Sequence, residues 1–418
     1  MTMNLNDSQT KAFEEIEQSI IMRRAHLLTG GAGTGKTTLL QEIAKKYATK
    51  IVLTAPTHKA VAVLERKLKM ADIHIECRTI HSLLSLRPKA QGDKQIFVRH
   101  PKAKPVTQEI IIIDESSMID SSMMTHIDRH LSGRAVILCG DISQLPPVGE
   151  VESRSFNTMP VSHLDTIVRQ AEGNPIIQAS MELRALQQTD GMDWEWARSS
   201  RSEKIGIFTP ERKDLDQWMK RAFVCDEFRN DQDFCRYLCW TNARVAEINE
   251  RIRRWIHGII PKTPFIPGEI ALIRSPLIQD EQILISTNEE VKVIDIQSDS
   301  LMGVGTWAMK VQNETGMDHN IHIPRDIDGY RIRLGELADQ AKGDGRSWDD
   351  YHGFKAAFVQ AQQCMALTIH NSQGSTFKFS FLDVPDVRKR MRDNPLECKK
   401  LLYTGATRPT DGLILVGV

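Results

Sequence analysis

The sequence predicts an α/β fold built on parallel sheets. Three stretches carry that reading. The run "LLTGGAGTGKTTLLQEIAKKY" (Leu27 to Tyr47) passes from an apolar strand through a glycine-rich turn into an amphipathic helix. The run "EIIIIDESSM" puts four isoleucines, Ile110 to Ile113, before an acidic pair, and a strand that is apolar on both faces belongs inside a parallel sheet. A third apolar run, "AVILC", leads into "GDISQLPPV" (Gly140 to Val148), where Pro146 and Pro147 forbid helix.

Bulk composition bounds the class. The 418 residues suggest two to four domains, and 41% hydrophobic with 26% charged is ordinary for a globular chain. No apolar run approaches the ~18 residues of a membrane span, and the start "MTMNLNDSQTKAFEEIEQ" has no apolar signal core, so a cytoplasmic location without a membrane is expected. Seven cysteines are scattered without a CxxC pair, which disfavours structural zinc and a disulfide framework. Cys235 and Cys239 are spaced to share a helix face, with buried free thiols the plainer reading. Lys plus Arg and Asp plus Glu both number 54. Net charge therefore gives no support for a nucleic-acid partner, although a narrow basic track binds a strand locally.

The glycine-rich turn matches G-x4-G-K-[ST] in full at Gly30, Gly35, Lys36 and Thr37, in the strand–turn–helix context that the motif requires. Backbone N–H groups through Gly31, Ala32, Gly33, Thr34, Gly35, Lys36, Thr37 and Thr38 are predicted to curl around phosphates, aided by the helix N-terminus. Lys36 neutralises the β- and γ-phosphates of ATP, and the Thr37 hydroxyl ligates Mg²⁺. Asp114 then holds Mg²⁺ through water, while Glu115 orients and deprotonates the attacking water. An acidic pair after a strand also caps helices, and the neighbouring phosphate loop favours the catalytic reading. Gln144, just past the third strand, is placed to touch the γ-phosphate or the water, because ligands gather at C-terminal strand edges.

Together these residues resemble superfamily 1 helicases. "GDISQLPPV" places the resemblance in the RecD-like branch, and within it in the Dda type. It spans nearly the whole chain. It implies two RecA-like P-loop NTPase domains with a small pin insertion and an SH3-like β-barrel insertion. The expected boundaries are 1–85 and 107–180 for the first motor domain, 86–106 for the pin, 181–262 and 362–418 for the second motor domain, and 263–361 for the barrel with its helical part.

The resemblance also implies roles. Gln9 of "LNDSQTKAF" corresponds to an adenine-reading glutamine. Pro56, Thr57, His58 and Lys59 of "LTAPTHKAV" match a DNA-contacting helix start. His81 of "TIHSLL" matches the next contact, although alone it reads as a core histidine. The pin falls on "LRPKAQGDKQIFVRHPKAKP", with a turn at Gly92 and Asp93 and Phe97 able to stack on a base. Arg169 of "LDTIVRQ" and Arg408 of "GATRP" match two arginines that reach the γ-phosphate, although each alone reads as a surface ion pair. Thr241, Asn242, Thr368, His370 and Ser372 match DNA contacts, and Gln373 with Gly374 links DNA to nucleotide. Short strands from about 263 to 324 fit the barrel, and 329–363 reads as charged helix.

The implied activity is ATP-dependent 5′→3′ movement on single-stranded DNA, about one nucleotide per cycle, with duplex separation. The alternative is a translocase that strips proteins and unwinds little. The implied partners are single-stranded DNA and single-strand/duplex junctions, with single-stranded DNA-binding protein or replication and recombination proteins as candidates, for a monomeric chain.

Overall fold

The structure, a computed structural model, describes residues 5–91, 94–150, 152–154, 159–167, 173–186, 197–202, 205–259, 261–279, 282–343 and 348–418. The chain forms two compact units, Met1–Leu84 with Pro105–Ile256 and Met365–Val418, and Ser85–Lys104 with His257–Cys364.

The first unit holds two sheets. One has six strands in the spatial order Cys77–Thr79, Ile51–Ala55, Ile110–Ile113, Ala135–Gly140, Ala25–Gly30 and Val161–Leu164. Every pairing is parallel. The four isoleucines occupy an interior strand and are buried to the last residue, because helices cover both faces. Parallel strands all end on one edge. That edge therefore collects the glycine-rich loop after Gly30, Pro56 and Thr57 after Ala55, Asp114 and Glu115 after Ile113, and Asp141 after Gly140. The helix Asp7–Ile21 begins with a reciprocal cap, in which the Asn6 side chain accepts from the Gln9 amide and the Gln9 side chain accepts from Asn6 N.

The second sheet runs in the order Ala366–Thr368, Cys235–Cys239, Phe377–Asp383, Pro409–Val416, Ile205–Phe208 and Ser200–Ser202. Only the last pairing is antiparallel. Cys235 and Cys239 share a face of a strand rather than of a helix. A four-residue spacing returns to the same side under either period, so the spacing alone did not discriminate. Both thiols are free and buried. The helix Asn242–His257 follows at once, as the basic amphipathic run predicts.

In the second unit, Leu86–Gln91 pairs antiparallel with Lys94–Arg99, from Leu86 opposite Arg99 to Gln91 opposite Lys94. The expected turn residues Gly92 and Asp93 lie outside the described residues. A five-stranded antiparallel sheet runs Asp318–Pro324, Val304–Gln312, Glu290–Leu301, Ile270–Ile273 and Ala361–Gln363. The long hairpin between Glu290 and Gln312 turns at Met302 and Gly303, both at positive φ (49° and 81°), as a two-residue primed turn demands. Val304 near its tip packs with Tyr330, Leu337, Phe354 and Phe358 of the helices Ile327–Gly343 and Asp349–Ala356 and the turn after them. The small hairpin Leu277–Gln279 with Gln282–Ile285 was not anticipated.

Ile112→Ala should lower unfolding stability by about 2–5 kcal/mol, because a fully enclosed strand position cannot collapse onto the lost methyls. The urea midpoint of the far-UV circular dichroism signal measures it, and a wild-type midpoint contradicts the packing described.

Candidate active site

The loop between Gly30 and Lys36 has the shape of a phosphate cradle. Gly33 and Gly35 stand at φ 75° and 80°, where a Cβ is disfavoured. A Cβ on Gly30 would meet Thr34 Oγ1 at 2.7 Å and the Leu164 carbonyl at 2.9 Å. Lys36 Nζ donates to the Gly30 and Gly31 carbonyls at 2.6 and 3.0 Å, which holds its ammonium over the loop. Gln9 Nε2 donates to the Gly35 carbonyl at 3.4 Å, so the helix start that carries Gln9 is fastened to the same loop. Thr37 and Thr38 lie in the first turn of the Lys36–Lys46 helix.

Glu115 takes φ 52° and ψ 40°, a left-handed conformation that costs a residue with a side chain about 1–2 kcal/mol. The strain turns its carboxylate out of the strand line. Burial pushes its pKa up and Asp114 adds to this; Arg408, Lys36 and Lys67 pull it down. Three cations therefore act electrostatically on one carboxylate, and one of them, Arg408, stands just before the Pro409–Val416 strand of the second sheet. Arg408 is buried, with Nε on the Thr404 carbonyl at 3.0 Å and Nη1 on the Ser375 carbonyl at 3.3 Å. Asp114 takes the Glu115 amide on Oδ1 at 2.9 Å, while its own amide donates to Thr54 O at 2.8 Å. Asp141 accepts from Ser143 N at 3.0 Å and so forms the turn that presents Gln144. Gln144 is buried, and among the described residues its Oε1 has no hydrogen-bond partner. A buried acceptor without a donor is costly, and a water or hydroxyl at the loop would satisfy it.

The two sheets meet along a seam at this edge. Tyr403 Oη donates to Asp141 Oδ2 and accepts from Ala32 N at 3.4 Å. Leu145, next to Gln144, is held twice: its amide donates to Thr404 Oγ1 at 3.2 Å, and its carbonyl accepts from Gln373 Nε2 at 3.0 Å. Gly374, at φ 73°, passes so near the Thr57–Ala60 helix start that a Cβ would stand 3.0 Å from Ala60 Cβ. Residues 373 and 374 thus touch both the Gln144 turn and the helix that begins at His58.

Residues 4–201 match an AAA domain, and residues 363–416 match the UvrD-like helicase C-terminal domain. The ATP-dependent DNA helicase Dda of Enterobacteria phage T4 is 25% identical over 448 residues, spanning 97% of this chain and 97% of the T4 protein. The RecBCD subunit RecD of Mycolicibacterium smegmatis is 26% identical across 94% of this chain and 68% of its own. In fold, a Bacteroides Pif1 helicase solved with ADP-AlF3 and single-stranded DNA superposes with a TM-score of 0.53 at 17% identity, covering 100% of this chain and 93% of that one. Over nearly its whole length the chain is similar to superfamily 1 helicases of the RecD and Dda type, and its fold is that of the Pif1 structure.

The expected nucleic-acid residues of this chain divide by accessibility. Pro56, Thr57 and Lys59 are half-buried, and His58 and Asn242 are exposed. The Thr57 hydroxyl caps its helix at Ala60 N. Lys59 Nζ pairs with Asp233 Oδ1 at 3.0 Å and lies over the Phe377 ring, so its charge is engaged across the seam. The Thr241 hydroxyl is donated to Asp386, which also accepts the Trp240 and Thr241 amides. Thr368 is buried and caps Asn371 N, and Ser372 is fully buried with its hydroxyl on the Ile369 carbonyl. Ser372 thus shapes the turn from inside. Burial lowers the pKa of His370, partly offset by Glu397. Phe97 projects from the hairpin at 38% exposure. Arg169 lies outside the described residues.

Sequence reasoning passed over Lys67, Tyr403 and Arg184. Lys67 Nζ reaches Thr37 Oγ1 at 3.5 Å from a helix whose charge pattern looks like an ordinary solvent face. Tyr403 stands in the "LLYTGATR" run that supplied Arg408, and that proximity was the available signal.

Burial pushes the His81 imidazole down to about 4, with Asp120 opposing. His81 thus stays neutral in the fold while its unfolded counterpart protonates near pH 6.5. The folded pKa is the lower one, so stability falls as pH drops from about 6.5 towards 4, by up to about 3 kcal/mol. Chemical denaturation across that window should show a shallower loss for His81→Gln, and parallel slopes contradict the assignment.

Proposed function

We propose that this chain hydrolyses ATP at the seam between two RecA-like motor domains and uses each cycle to move 5′→3′ on single-stranded DNA, separating duplex ahead of it. One observation carries the reading: Arg408 of the second sheet and Lys36 of the first both act on the strained Glu115 carboxylate. A site assembled from two lobes is complete only when the lobes are together, so occupancy and lobe position are linked. The T4 relative bears the name of an ATP-dependent DNA helicase, and the Pif1 structures are described with single-stranded and forked DNA.

The loop amides and Lys36 bind the triphosphate, and Gln9 reads the adenine edge. The Thr37 hydroxyl and Asp114 carboxylate are a donor set that would hold a hard divalent cation such as Mg²⁺, which would supply charge neutralisation at the phosphates. Glu115 accepts a proton from water as the water oxygen attacks the γ-phosphorus and ADP departs. Its raised pKa suits a base, since the proton must be held through the step. Gln144 orients that water through the open Oε1. Arg408 and Arg169 stabilise the charge spread over the phosphoryl oxygens. Gln373 and Gly374 then transmit the change at the seam to the helix start at Thr57 and His58, where the strand binds.

The motor domains comprise 1–85 with 107–180, and 181–262 with 362–418. The hairpin at 86–106 is the strand-separating pin, with Phe97 as its stacking group, and 263–361 is an SH3-like barrel with a helical brace. The pin strands have only six residues each. That shortness favours, as a second reading, a translocase that clears bound proteins and opens little duplex.

Glu115→Gln should lower turnover stimulated by single-stranded DNA by about 10²- to 10⁴-fold while nucleotide still binds. Phosphate release and nucleotide titration check it together, and near-normal release moves the base elsewhere. Duplexes tailed only at the 5′ end should unwind with ATP, whereas those tailed only at the 3′ end should not. Opening of the 3′-tailed substrate reverses the polarity, and streptavidin displacement without opening selects the translocase.

A further inference from the structure

The two lobes share more at the phosphate loop than Arg408. The helix Pro175–Ala185 packs on the second sheet and on the helix Pro395–Ala406. Its N-terminus is capped by Asn174, and its C-terminal carbonyls are held by Lys399, whose Nζ donates to Arg184 O at 2.9 Å and to Leu186 O. Arg184 is thus fixed at its backbone by the second lobe. Its guanidinium nevertheless lies on the first lobe's loop: a Cβ built on Gly31 would stand 2.7 Å from Arg184 Nη1 and 3.5 Å from Tyr403 Oη. A side chain at position 31 would have to displace that guanidinium.

Gly31 is approached from two directions. Its carbonyl takes Lys36 Nζ at 3.0 Å, and its α-carbon faces Arg184. A phosphate engaged by Lys36 is therefore within one side chain of the guanidinium. Arg184 also lines two cavities that flank this point. One, of about 310 Å³, holds Lys399, Lys400 and Glu152. The other, of about 380 Å³, holds Gly31, Ala32, Thr34 and His163. Arg184 Nη2 meets His163 Nε2 at 3.4 Å, and the same His163 nitrogen pairs with Asp165 Oδ1 at 2.7 Å. Among the described residues no carboxylate lies within ion-pairing distance of Arg184. A planar fork of donors that makes no direct ion pair among the described residues, with the Asp165 carboxylate on the wall of the same cavity, is suited to a phosphoryl oxygen at the loop.

We propose that Arg184 contacts the terminal phosphate of bound ATP from the second lobe, so that a triphosphate draws the lobes together where a diphosphate does not. This inference rests on the ATP-site reading above. The difference would arise because Arg184 approaches the loop at Gly31 while Gln9 is fastened to its other end at Gly35, so the two would meet opposite ends of a bound nucleotide. Arg408 completes the chemistry beside Glu115, whereas Arg184 serves recognition at Gly31.

The test is direct titration of fluorescent ADP and of a non-hydrolysable ATP analogue against wild type, Arg184→Ala, Arg184→Gln and Arg184→Lys, with thermal melts to select the variants that fold. Losing a charge-assisted hydrogen bond corresponds to about ten- to a hundredfold in affinity. Arg184→Ala and Arg184→Gln should lose that factor for the analogue and keep ADP affinity within about twofold, and Arg184→Lys should recover part of the loss. Equal losses for both nucleotides, or an unchanged analogue-to-ADP ratio in any variant that folds, overturn the proposal. If none folds, Arg184 is a packing residue and the proposal also fails. Wild type that binds neither nucleotide overturns the ATP-site reading itself, a result separate from the variant series.

Discussion

The Tyr403 hydroxyl is bound on two sides, by the Asp141 carboxylate and the Ala32 amide, and the rest of the site is arranged around that junction. Both partners belong to the first sheet and the tyrosine to a helix of the second lobe. Burial and the neighbouring carboxylate push the phenol well above its ordinary range, so it remains a neutral donor. Asp141 in turn shapes the turn that carries Gln144, and the residue after Tyr403 binds Leu145. A shift of the helix Pro395–Ala406 therefore moves the loop, the Gln144 turn and Arg408 together. Ala32 N is one donor only, so a phosphate oxygen in the proposed site would compete with the tyrosine hydroxyl for it.

Glu115 shows how the fold holds a strained backbone at the edge of the sheet. The Ile110–Ile113 strand is locked on both sides by parallel neighbours, so the chain cannot relax where it leaves the sheet. The left-handed turn at Glu115 is held by the Asp114 carboxylate and by the short helix Ser116–Met118 that follows. The neighbouring strand Ala135–Gly140 supplies Cys139, whose thiol is pushed well above its ordinary range by burial, with the Asp114 charge adding to the shift. Packing, backbone strain and carboxylate placement are thus one feature seen at three levels.

The residues expected to grip nucleic acid overlap with those that hold the lobes and their turns. Lys59, expected on a DNA backbone, is spent on Asp233 and Phe377; Thr241, expected there too, is spent on Asp386. Ser372 is inside the turn whose outer side carries His370. Residues recognised by motif thus include those that build the platform as well as those that touch the strand. Sequence pattern does not separate the two, because a hydroxyl or an ammonium suits both tasks.

The sequence by itself determined the phosphate loop, the order of the buried strands, the acidic pair and the identity of Arg408 as a residue to watch. These are local: a glycine spacing, a run of isoleucines or a Pro-Pro stop states its structure within ten residues. It also marked the interval 86–106 for a hairpin, through the resemblance, and several of the short strands between about 263 and 324. Only the tertiary structure decided that Gln144 carries an orphaned acceptor, that cations from two lobes act on Glu115, and that Tyr403 and Arg184 close on the loop. Tyr403 lies 371 positions along the chain from Ala32. Contacts at that separation depend on where two sheets dock, and no short pattern encodes a docking angle.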